Sequence, residues 1–338
     1  MALPLSFLDL TQIESGSTSS VALRNATGLA QAAERLGYTR YWFAEHHNSI
    51  GLASGSPEIM VAHVANHTGT IRVGTGGVML PNHAPLKIAE VFRVLEALHP
   101  GRIDLGLGRA PGTDTLTAFA LRRSEEAMTS DLYPALLAEL LALDKRTFPA
   151  GHPFAPINVT PADVELPPIW LLGSSEFSGQ FSANAGLGFS FAAHINRPLA
   201  IPVMRSYREQ FEPSTHRETP HSILAVSVIV GDTPEQVEEL RHIVNIGYSK
   251  LIAGEPYQMP THTQARETTL SPIALERLKQ RPSSAIYGDA KAVTDQVREF
   301  AADCQADEVM ITTSLPNQED RLRVVTQIAE EWGLESGK

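Results

Sequence analysis

Glu45, His46 and His47 follow one another at the end of a short apolar run, which places a carboxylate and two imidazoles at one point of the chain. Alternation along a strand sends Glu45 and His47 one way and His46 the other, so three metal ligands do not converge and no metal is expected. A positioned imidazole for proton transfer, with Glu45 beside it, is the better reading; polar groups that merely satisfy a rim are the bland one. His63 and His67 stand four apart on a helical stretch, but Val64 occupies the place where a zinc protease carries its glutamate, so this pair reads as a solvated face.

Other strand ends are equally polar. Gly74-Thr75-Gly76-Gly77, Gly106-Leu107-Gly108-Arg109, Gly173-Ser174-Ser175 and Ala193-His194 each follow an apolar run. Arg109, flanked by small residues, suits bidentate phosphate binding; the alternative is an ion pair across a barrel mouth. Gly173-Ser174-Ser175 runs straight into a helical stretch and offers hydroxyls, free N–H groups and a positive dipole end to an anion, although helix capping alone would explain it. Neither a Walker pattern nor the dinucleotide G-x-G-x-x-G is present.

The elements that must position these residues alternate from end to end. Apolar runs at Leu3–Leu10, Tyr41–Ala44, Ile71–Met79, Ile103–Leu107, Ile169–Leu172, Gly188–Ala192, Ile223–Val230 and Glu308–Thr312 are each followed by helical periodicity. Proline opens the helices at Pro57, Pro85 and, after Asp232-Thr233, Pro234. Thr113–Pro167 is expected to be helical up to Phe148 and then irregular. Eight βα units with right-handed crossovers close most economically as a (β/α)8 TIM barrel with insertions, one of them a lid-like segment after strand seven, Ala253–Ser284. A doubly wound sheet would bind at one switch point and would not spread special residues over many strand ends. No linker divides the chain, so residues 1–338 read as a single domain.

Composition excludes several functions. The 338 residues are 43% apolar and 19% charged with a formal charge of −11, which argues against nucleic acid or an anionic membrane surface as partner. No run approaches the roughly 18 apolar residues needed to span a bilayer, and MALPLSFLDLTQ lacks a basic leader, so a cytoplasmic protein is expected. The one cysteine, Cys304, reads as a buried structural thiol.

With these residues in view, the chain resembles the bacterial luciferase-like flavin monooxygenases. Their barrels carry E-H-H after strand two, G-T-x-x-V/I-x-L-P in strand three and G-x-x-R-G/A after strand four; here these are Glu45-His46-His47, Gly74 to Pro81, and Gly106-Leu107-Gly108-Arg109-Ala110. The likeness is strongest over about residues 1–125. It implies reduced FMN as cosubstrate, delivered by an NAD(P)H:flavin reductase, and oxygenation of a small organic substrate. It further implies catalysis by His46, a non-prolyl cis peptide at Gly76-Gly77 beneath the flavin, and phosphate ligands at Arg109, Ser175 and Ser178. Ser174 stands where luciferase has glutamate, and its role stays open. A second phosphate arginine is expected at Arg122 or Arg123, and a homodimer through the helices Pro57–His67 and Pro85–Leu98. Sister enzymes of the superfamily use F420 for hydride transfer, and a non-catalytic flavin-binding homologue is a third possibility.

Overall fold

A computed structural model describes residues 3–129, 131–280, 283–315 and 317–335. Small parts of the sequence readings, including residue 130 of the helical insertion and 281–282 of the lid-like segment, lie outside the described residues. The strands are β1 (Leu5–Asp9), β2 (Arg40–Phe43), β3 (Arg72–Thr75), β4 (Val78–Met79), β5 (Ile103–Gly108), β6 (Ile169–Gly173), β7 (Gly188–Ala192), β8 (Ser222–Val230), β9 (Ile286–Gly288) and β10 (Glu308–Thr312). Parallel pairing runs β10-β1-β2-β3-β5-β6-β7-β8, and β8 pairs with β10 to close an eight-stranded barrel. Two details differ from expectation. The third apolar run is broken into β3 and β4 around Gly76-Gly77, with β4 pairing β5. The short β9, too brief to show a period in sequence, extends β8 beyond the barrel.

Strand parity decides what faces inward. Leu5, Phe7, Tyr41 and Phe43 join the large core between barrel and helices, whereas Leu8, Trp42, Trp170, Ala225 and Met310 fill the barrel. Trp42 and Trp170 meet edge to face with centroids 5.7 Å apart. Below them, at the amino ends of the strands, Arg40 donates to Glu308 (2.7 and 2.9 Å) and Asp104 (2.9 Å). Trp42 Nε1 and Arg72 also donate to Asp104. This plug seals one end, so the cavity must open at the other.

Helix starts follow the sequence signals. Thr233 caps Pro234–Ala253 by accepting from the Gln236 N–H, with Pro234 in the first turn. The insertion after β5 carries helices Thr115–Arg122, Glu125–Thr129 and Tyr133–Lys145 before an irregular stretch, as expected. Cys304 is buried, and burial pushes its thiol up to about 12, which makes it inert.

Candidate active site

A cavity of about 720 Å³ lies at the carboxyl ends of the barrel strands. His46 lines it because it shares inward parity with Arg40 and Trp42. Its Nδ1 is enclosed and has no hydrogen-bond partner among the described residues. Burial, the main influence, lowers the pKa of the ring, so His46 is neutral at pH 7. Glu45, expected from sequence to work beside His46, does not line the cavity. The same alternation turns it away, into full burial against β4 and the turn after it. There its carboxylate accepts from His47 Nε2 (2.7 Å), His83 Nε2 (3.0 Å) and the Met79 N–H (2.9 Å). Glu45 is therefore a positioning residue that ties the second strand end to the third.

His83 escaped the sequence reading because it lies 38 residues from its partner. The pair has a definite pH signature. Burial opposes both charges, but their mutual hydrogen bond and attraction prevail, holding Glu45 below its ordinary 4.5 and His83 above 6.5. His83 thus contributes stability that is full below pH 6.5 and fades as pH rises through its raised pKa. Glu45 contributes above pH 4.5 and fades as pH falls through its lowered one. In a histidine NMR titration, the His83 Cε1–H midpoint is expected above 6.5 and should drop in Glu45→Gln. A native midpoint at or below 6.5 would refute the pairing.

Gly76 and Gly77 also line the cavity, and the peptide bond between them is cis. The need for glycine there comes from the barrel itself. A Cβ on Gly76 would stand 2.6 Å from Leu8 Cδ1, and one on Gly77 would stand 2.7 Å from the Gly106 carbonyl oxygen.

Arg109 reaches the cavity from the end of β5, half exposed, stacked over Phe177 at 4.5 Å and paired with Asp131 at 3.2 Å. The ion pair is present, and the guanidinium also lines the cavity. Ser174, Ser175 and Ser178 line the same end. Ser175 caps Glu176–Asn184, accepting from the Ser178 N–H, while Ser178 Oγ accepts from the Ser175 N–H and donates to the Ser175 carbonyl at 2.6 Å. Of the two hydroxyls, that of Ser175 is the freer to donate to a ligand. Neither Arg122 nor Arg123 lines the cavity. Arg122 is held by Asn82 and the Ala127 carbonyl, and Arg123 is the left-handed cap of its helix.

The opposite side is apolar. Val244 and Tyr248 from Pro234–Ala253, with Tyr257 and Met259 from the strap after it, form one wall. The lid-like segment is bonded to neighbouring loops: the Ser15 N–H donates to the Met259 carbonyl (2.8 Å) and Gln258 Nε2 to the Ile50 carbonyl (3.1 Å). The same segment contains two helices, His262–Glu267 and Pro272–Gln280. The rings of His63 and His67 lie tilted against each other on the helix Pro57–His67, with centroids 4.2 Å apart. Among the described residues no cluster could hold a metal ion, and no helix is long and apolar enough to cross a membrane.

Compared with known proteins, the chain matches a family described as luciferase-like monooxygenase over residues 3–309. A protein of Escherichia coli (strain K12) named luciferase-like monooxygenase is 38% identical over 94% of this chain and 93% of its own. The N-acetyl-S-alkylcysteine monooxygenase of Bacillus subtilis (strain 168) is 32% identical over 93% of each. The solved structure of apo-MsnO8 superposes with a TM-score of 0.90 at 32% identity, covering 99% of this chain and 100% of that one. At 17% and 12% identity the fold extends to an FMN-bound monooxygenase constituent and an F420-dependent alcohol dehydrogenase, with TM-scores of 0.70 and 0.66.

Proposed function

The chain belongs to the luciferase-like monooxygenase family, and from that premise we propose a flavin-dependent monooxygenase that takes reduced FMN from a separate NAD(P)H:flavin reductase and oxygenates a small organic substrate in the cytoplasm. The observation that carries this reading is the division of one cavity. Arg109, Ser175 and a helix N-terminus meet at one end, and a neutral, enclosed His46 stands beside Gly76-Gly77. A cationic side chain, a hydroxyl donor and first-turn N–H groups are a donor set for a phosphate monoester. The volume lies within the roughly 300–1,000 Å³ range of cofactor sites. FMN bound there would supply the oxygen activation. This chain's part is to hold the phosphate with Arg109, Ser174 and Ser175, and to keep water out with the strap. His46 would exchange a proton with the reacting groups through the nitrogen that faces the cavity.

Titration with FMN in both redox states, followed by oxygen uptake with and without a reductase, tests the reading. Failure to bind either form at tens of micromolar (roughly 10⁻⁵ M) would end it; tighter binding of F420 would shift it to hydride transfer. Because Arg109 is half exposed and already shares its charge with Asp131, Arg109→Ala should cost only about 1–2 kcal/mol, a loss of FMN affinity of roughly 5- to 30-fold. Unchanged affinity would remove the residue from the phosphate site.

The same proposal includes a homodimer. Ile59 (63% exposed) shares one helix face with His63 and His67, and Val94 and Leu98 are exposed on the adjacent helix. Light scattering should give about twice 36.7 kDa; a monomer mass would overturn it.

A further inference from the structure

His194 lies in the one-turn helix Ala193–Asn196 that directly follows β7, and it lines the cavity. Its Nδ1 lies 3.3 Å from the Ala225 carbonyl oxygen. A carbonyl has no proton to give, so Nδ1 must carry the hydrogen and donate it. The position of the neighbouring strand thereby selects the tautomer. In the neutral ring, Nε2 is then a bare lone pair, and it has no hydrogen-bond partner among the described residues. Burial disfavours the charged ring.

The surroundings narrow the ligand further. Arg109 is the only side chain with a permanent charge lining the cavity among the described residues, and it belongs to the β5–β6 end. His194 is hydrogen-bonded to Ala225 and Ser284, and Ile195, Ser227, Val244 and Tyr248 line the same cavity. The apolar wall is also firmly seated: a Cβ on Gly247 would stand 2.5 Å from Met259 Sδ, so helix and strap are in close contact. An anionic or cationic ligand would lose its hydration there with no counter-charge to replace it.

We infer that His194 is a specificity-determining residue whose Nε2 accepts a hydrogen bond from the organic substrate, and that the substrate is uncharged and largely apolar with one hydrogen-bond donor. This deepens the monooxygenase reading and rests on it for the word substrate; the recognition itself does not need turnover.

The test uses three naphthalene probes on the FMN-loaded protein, followed by calorimetry: 2-naphthol, its methyl ether 2-methoxynaphthalene, and 2-naphthoate. The native protein should bind the naphthol about tenfold more tightly than the ether, which has lost its donor, and the carboxylate most weakly. His194→Phe keeps an aromatic ring but no acceptor and should level naphthol and ether. His194→Gln, which can again present an acceptor, should restore part of the preference. Equal binding of naphthol and ether by the native protein, a preference that survives in His194→Phe, preferred binding of the naphthoate, or no binding of either neutral probe at about 1 mM would each overturn the inference. So would loss of FMN affinity in His194→Phe with the naphthol preference intact, since the ring would then serve the flavin. FMN binding and oxygen uptake are measured separately. A protein that discriminates the probes but never oxygenates would refute the monooxygenase reading and leave the recognition site standing.

Discussion

His46→Ala is expected to slow reductase-coupled oxygenation by on the order of 10²-fold or more while leaving FMN affinity nearly unchanged. The imidazole lines the cavity without belonging to the Arg109–Ser175 end that would hold a phosphate, so flavin binding should not depend on it. It is neutral at pH 7, as an exchanger of protons must be before it accepts one. Its enclosed Nδ1 has no partner among the described residues, and an unsatisfied buried nitrogen costs about 1–3 kcal/mol. A residue kept at such a cost is retained for what it does. Stability of His46→Ala should therefore equal or exceed that of the native protein. Normal turnover in the variant would remove His46 from the reaction, and a parallel loss of stability would mark it as structural.

The second large effect lies at the other end of the barrel. Arg40→Met should destabilise the fold by about 3–5 kcal/mol at pH 7, because removing one member of a buried ion cluster leaves its partners uncompensated. Glu308 would suffer most. Asp104 keeps Arg72 at 2.7 Å, whereas Glu308 retains Ser6 and a 3.6 Å approach to His221. The pH dependence carries the sign. Burial opposes ionisation of Glu308 and Asp104, but Arg40 prevails and holds both below their ordinary values of 4.5 and 3.8. Their stabilisation is therefore present above those values and lost as pH falls through the depressed ones. Without Arg40, Glu308 would prefer to be protonated, so the deficit of the variant should shrink between about pH 7 and pH 5. Denaturant melts at the two pH values measure it, and Arg40→Met with Glu308→Leu should recover part of the loss. A single variant within about 0.5 kcal/mol of the native protein would show that the plug is not stabilising.

Much of this molecule is written in local pattern. Eight apolar runs, each followed by helical spacing, are enough to close a barrel, because crossover handedness and strand pairing leave few other arrangements. Parity alone separates His46 from Glu45 and His47, since successive side chains on a strand must take opposite faces. The polar strand ends could be found by asking where each run stops. Other features depend on which strand ends become neighbours, and that is decided only when the barrel closes. Glu45 meets His83 across 38 residues, Arg40 meets Glu308 across 268, and His194 receives its tautomer from a carbonyl 31 residues away. Arg122, offered by the sequence as a phosphate ligand, is held away from the cavity lining by Asn82 and the Ala127 carbonyl. The strap composition suggests a lid, and its partners are set by the fold: the Met259 carbonyl accepts from the loop after β1, and the Gln258 side chain donates to the loop after β2. Periodicity reports the face a residue occupies within its own element. The partner waiting on that face is set by the register of the closed sheet, which no local spacing contains.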